Sequence, residues 1–135
     1  MTEQDDPKQK LADAIDVIEG GYEFLLAYAA QGRHTDRGGP GGEGPRDRLG
    51  AMVEAISAVP ELVSNVVATA EDVDLSDCEP WFEALARDSA VSAAAIRLVL
   101  SRSDIGSQIV DNLNASIHLR ALLTDIFLLD EAFKP

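Results

Sequence analysis

Residues 103–133 read SDIGSQIVDNLNASIHLRALLTDIFLLDEAF, and no other stretch constrains the fold as strongly. The spacing predicts one long helix without a clean polar side. Its second half, 119–129, is apolar nearly all round, and such a helix must be covered on most faces. Leu122, Leu123, Ile126, Phe127 and Leu129 point in too many directions for one layer of helices to reach. The expected cover is a second copy of the chain, because soluble chains avoid large apolar patches and a twofold dimer is the commonest way to hide one. The first half carries Asp111, Asn112, Asn114 and His118 among apolar residues. Buried polar groups need partners, so something specific is expected opposite them.

The preceding segments have the same helical grammar. Over 7–31, Leu11, Ile15, Ile18, Tyr22, Leu25 and Ala29 recur at steps of 4, 3, 4, 3 and 4, a bundle seam. Gly20-Gly21 in its middle costs about 1 kcal/mol per glycine in helix propensity. That marks either a weak, kinked spot or the close approach of another helix. Over 46–70, Leu49, Met52, Ile56, Val59, Val63, Val66 and Ala70 step by 3, 4, 3, 4, 3 and 4. Pro60 sits inside that register, where its ring opposes the Ile56 carbonyl, so a kinked helix or two short ones are both compatible. An acidic turn, 71–79, follows. Ser76 with Glu79 has the capping-box pattern, and Pro80 opens a third helix to about residue 101. Phe82, Leu85, Ile96 and Val99 mark its apolar face, and its middle, SAVSAAA, suits a closely packed neighbour. Ser103 or Asp104 is the expected cap of the fourth helix.

Residues 32–45, GRHTDRGGPGGEGP, cannot hold regular structure and are expected to form a flexible loop. Residues 1–7 are polar and expected to be disordered. A phosphate-binding reading of the loop lacks the Lys and the hydroxyl residue of the GxxxxGK[ST] pattern, and its two prolines remove N–H donors.

A chain of 135 residues holds one domain with a useful core. Ala, Leu, Ile and Val dominate, aromatics are 5%, and alternating β-branched runs are missing, so the expected fold is all-α: an antiparallel four-helix bundle dimerising through its C-terminal helix. The net charge of −13 disfavours nucleic acid, whose binding needs clustered Lys and Arg, and anionic membrane surfaces. It leaves basic or apolar protein surfaces as partners besides the chain itself. The acidic N-terminus lacks a signal-peptide core, and no uninterrupted apolar run reaches the length of a membrane span, so a cytoplasmic protein is expected. Three Lys against eight Arg, with abundant Ala, suggests a GC-rich bacterial genome or salt adaptation.

Sites of chemistry are sparse. Asp111, Asn114, His118 and Asp125 share one stripe of a continuous helix. With Tyr22 and Tyr28 they would outline a small-ligand or cofactor pocket around His118, and a carboxylate from another helix would make His118 a general base. A lone histidine lacks the convergent groups of an active site. There is no Glu-x-x-His for a di-iron centre and no C-x-x-C-H for haem. No metal site and no cofactor is expected. Cys78, flanked by Asp77 and Glu79, reads as structural. Trp81 and Phe82 are expected to pack at the bundle end, or else to anchor a partner. These patterns favour a non-enzymatic accessory, adaptor or regulatory protein acting through protein–protein contacts as a homodimer. The ligand-binding bundle is the alternative, and an enzyme based on His118 comes last.

Overall fold

A computed structural model describes residues 6–39, 42, 44–70 and 73–133. Among them there are five helices and no strand: α1 (Pro7–Ala29), α2 (Pro45–Thr69), α3 (Glu79–Leu100), α4 (Ser107–Ala115) and α5 (Ile117–Ala132). They form a helical bundle in which α1 packs on α2 and α4, and α3 packs on α2 and α5.

The heptad-like seams became the core. Leu11, Ile15, Ile18 and Leu25 of α1 are buried, as are Leu49, Met52, Ile56, Val59, Val63 and Val66 of α2. The α1 start is set by Asp6, whose carboxylate accepts the Lys8 N–H at 3.0 Å, and by Pro7 in the first turn. α1 therefore begins inside the N-terminal segment expected to be disordered; residues 1–5 lie outside the described residues. Gly32, with φ of 65°, turns the chain away after α1 in a conformation glycine adopts without strain. Pro60 lies within an unbroken α2, so one continuous element and not two short helices carries that register. Gly21 is buried where a Cβ atom would stand 2.5 Å from Met52 Cγ and Sδ, so close approach of α2 explains this glycine. By length and composition α2 is also long and apolar enough to cross a membrane, with Glu54 and Glu61 interrupting it; its buried ridge serves α1 and α3.

One local expectation is corrected before α3. Ser76 does not cap that helix. It lies in a 3-10 turn, Ser76–Cys78, where its N–H donates to Asp74 Oδ1 at 3.0 Å. The small-residue middle of α3 buries Ser89, Ser92 and Ala93, and Ser92 Oγ donates to the His118 carbonyl at 3.0 Å. That is the close neighbour the composition implied, supplied by the same chain.

The principal correction concerns the last helix. It is two helices, broken at Ser116, whose ψ of 129° is extended and whose hydroxyl accepts the His118 N–H. Asn112, Asn114 and Ser116 are weak helix formers, and serine favours an N-cap. The break lets α4 follow α1 while α5 follows α3. Ser103 and Asp104 are not the cap; Gly106 holds that position, and the Asp104 carboxylate accepts the Thr35 hydroxyl at 2.6 Å.

Candidate functional site

The residues expected at a dimer interface lie mostly in the core. Leu122, Leu123, Ile126 and Leu129 are at most 4% exposed, covered by their own chain. Of that set only Phe127 remains at the surface, 55% exposed, with Leu128 beside it at 58%. Most of the apolar surface of α5 is thus covered within one copy, Phe127 and Leu128 excepted.

The expected ligand stripe is not assembled either. Asp111 and His118 are exposed, Tyr22 is half-buried, and Asn114 is buried. Tyr28 is buried as well, but its hydroxyl donates to the backbone carbonyls of Ile105 and Thr35, a structural role. His118 bonds through its main chain, to Ser116 Oγ and Ser92 Oγ, and no described residue hydrogen-bonds its imidazole. The break at Ser116 removes the common stripe on which 111, 114, 118 and 125 were aligned. Asn114 Oδ1 and Nδ2 have no hydrogen-bonding partner among the described residues.

Asp125 instead faces Asp88 of α3. Burial, then a hydrogen bond and charge repulsion from Asp88, pushes the Asp125 carboxyl from 3.8 up to about 7. Its Oδ2 is buried without a hydrogen-bond partner among the described residues. The Asp125 carboxyl therefore holds its proton to higher pH than an ordinary aspartate.

The glycine-rich loop is anchored through its first part. Arg33 N–H donates to Ser107 Oγ at 2.8 Å, Ser107 N–H donates to the Arg33 carbonyl at 2.7 Å, and Gly106 packs so closely that a Cβ would stand 2.9 Å from that carbonyl. The Arg46 guanidinium binds Asp36 and the carbonyls of Leu100, Arg102 and Ser103. Burial alone would raise the Asp36 carboxyl, but the Ile105 N–H and Arg46 outweigh it and hold the group below its ordinary value. Arg46 therefore closes the C-terminus of α3, whose last carbonyls lack helical partners. Within the expected loop, residues 33–37 carry these hydrogen bonds; Pro40, Gly41 and Glu43 lie outside the described residues.

A groove of about 420 Å³ lies at the other end of the bundle. Leu75, Cys78, Trp81 and Phe82 form one wall, and Leu128, Leu129, Ala132 and Phe133 the other, with Asp77 on the rim. The Trp81 and Phe82 rings meet edge to face at 5.2 Å between centroids. Through Leu75 and Phe82 the groove continues into a shallow depression lined by Val67, Val73 and Glu79; through Leu129 and Phe133 it adjoins one lined by Leu11, Ile15 and Asp130. Cys78 is exposed in the wall and not a core thiol.

This end is acidic. Asp74, Asp77, Glu79, Glu83, Asp130 and Glu131 lie on its elements, and residues 73–86 and 121–133 contain no Lys or Arg. Burial, then Asp130, Asp16 and Glu23, raises the Glu19 carboxyl on the neighbouring face of α1. Lys8 borders the adjoining depression, and Lys134 lies outside the described residues. Arg33, Arg37, Arg46 and Arg102 gather instead around the loop at the opposite end.

Among the described residues no group of three His, Cys, Asp or Glu side chains could hold a metal ion. The groove escaped sequence reasoning except for one signal, Trp81-Phe82, for which a partner anchor was the second choice. Comparison with protein-family models, curated proteins and solved structures finds no match for this chain.

Proposed function

We propose that the chain is a non-enzymatic accessory, adaptor or regulatory protein that works through protein–protein contacts at its Trp81/Phe133 end. The observation that carries this reading is the groove: aromatic and aliphatic walls, Leu128 exposed among them, with almost no polar lining. Exposed concave apolar surface of this kind marks interaction sites. In this reading the bundle is antiparallel with four columns, α4 and α5 together making the fourth. Self-association through Leu122, Leu123, Ile126 and Leu129 is not part of the proposal, since those side chains are in the core; a dimer would have to use Phe127 and Leu128.

A photo-cross-linking residue placed at position 128 in cells of the source organism tests the proposal. A discrete protein adduct is expected from position 128 and none from position 64, an exposed site on α2. No adduct from either 127 or 128 would remove the contact reading.

A further inference from the structure

We propose that the groove between the start of α3 and the end of α5 receives an amphipathic helix with basic flanks. The inference rests on the contact reading above and adds the chemistry of the partner. The groove itself selects apolar side chains, because its lining is almost wholly aliphatic and aromatic, with Phe82, Leu128 and Phe133 offering no hydrogen bonds. Helices insert such anchors at i, i+3 or i+4, and i+7. The surroundings select positive charge. Asp77 is on the rim, Glu79 and Asp130 line the adjoining depressions, and neither wall carries a Lys or Arg over 73–86 or 121–133. A cationic flank laid over these carboxylates would relieve the like-charge crowding that already burdens Glu19. Anionic lipid is repelled by the same field, and a second copy brings its own acids to the contact unless it docks head-to-tail through its arginine-bearing loop.

Trp81 is the chain's only tryptophan, and it stands in the groove wall, so its emission reports occupancy directly. The probe is a synthetic helix of about 18 residues, with Leu at the anchor spacing and Lys on both flanks, compared with the same peptide carrying Glu on the flanks. Titrated into the purified full chain, the Lys peptide is expected to shift Trp81 emission saturably. The Glu peptide should bind about tenfold more weakly or worse. The Lys-peptide affinity should fall several-fold between about 50 and 500 mM salt. Leu128→Ser, at an exposed position that the fold does not need, should weaken the Lys peptide about fivefold or more, while Leu98→Ser on the exposed face of α3 should not.

Equal binding of the two peptides, both sensitive to Leu128→Ser, would overturn the basic partner while leaving the contact reading intact. Absence of any Trp81 response, or binding indifferent to Leu128→Ser, would overturn the groove as the docking site; the cross-linking result then decides separately whether the end of α5 contacts protein at all. A dimer in sedimentation at micromolar concentration, abolished by Leu128→Ser, would make a second copy the occupant and overturn the inference.

Discussion

Replacing Asp125 by asparagine tests the shared proton between α3 and α5. In the folded chain the Asp125 carboxyl sits at about 7 against 3.8 for the free group, because burial and then Asp88 oppose its ionisation. A folded-state value raised in this way gives stability that is complete below about 3.8 and is lost as pH rises through about 7. At 1.36 kcal/mol per unit the full shift corresponds to about 4 kcal/mol. Asp125 and Asp88 are only half-buried, and solvent screening reduces this to about 1–2 kcal/mol. The side-chain amide of Asp125→Asn would donate to Asp88 at every pH and never ionise. The variant is therefore expected to match the wild type near pH 4 and to exceed it by about 1–2 kcal/mol near pH 8, or about 3–8 °C in Tm for a domain of this size. Thermal melts followed by circular dichroism at several pH values, with Asp88→Asn as a companion, measure the difference between variant and wild type. Other carboxylates titrate in both proteins and cancel. A difference that does not change with pH, or a variant less stable at pH 8, would refute the reasoning.

Gly21→Ala gains about 1 kcal/mol of helix propensity, yet its Cβ would stand 2.5 Å from Met52 Cγ, so a net loss of about 1–2 kcal/mol is expected in urea denaturation, and the same substitution should cost nothing when made in a Met52→Ala background. Arg46→Ala removes donors to Asp36 and to three carbonyls after α3; a loss of about 2–3 kcal/mol is expected, with faster amide exchange at Ile105, whose N–H is held by Asp36. Leu123→Glu should cost several kcal/mol and unfold the chain, whereas Phe127→Glu should leave the circular dichroism spectrum unchanged, because only the first side chain is buried. Equal effects of the two would contradict the placement of α5.

The helical class and most of the seams of α1 and α2 were legible in the sequence, though Tyr22, Ala29 and Ala70 are only half-buried and the buried Tyr28 lies off the expected seam. Amphipathic periodicity is a local property, and Leu11, Ile15 and Ile18, or Ile56, Val59 and Val63, are buried because their spacing puts them on one face. The Pro60 register and the small residues of α3 were legible for the same reason, and so was the α1 start, through Pro7.

What the sequence left open depends on which elements meet. Ser116 breaks a helix whose apolar pattern runs straight through it, and only the competing pulls of α1 on α4 and α3 on α5 decide for the break. That bend settles which face of α5 is core, placing Leu122 and Leu123 inside and Phe127 and Leu128 outside. It also separates Asn114 from His118 and turns Asp125 toward Asp88, 37 positions away in the chain. Arg33 and Ser107 exchange hydrogen bonds across 74 positions, which no local pattern announces in a loop so rich in glycine. The groove is of the same kind: the start of α3 and the end of α5 are each ordinary apolar helix ends, and a concave surface exists only once tertiary packing sets them side by side.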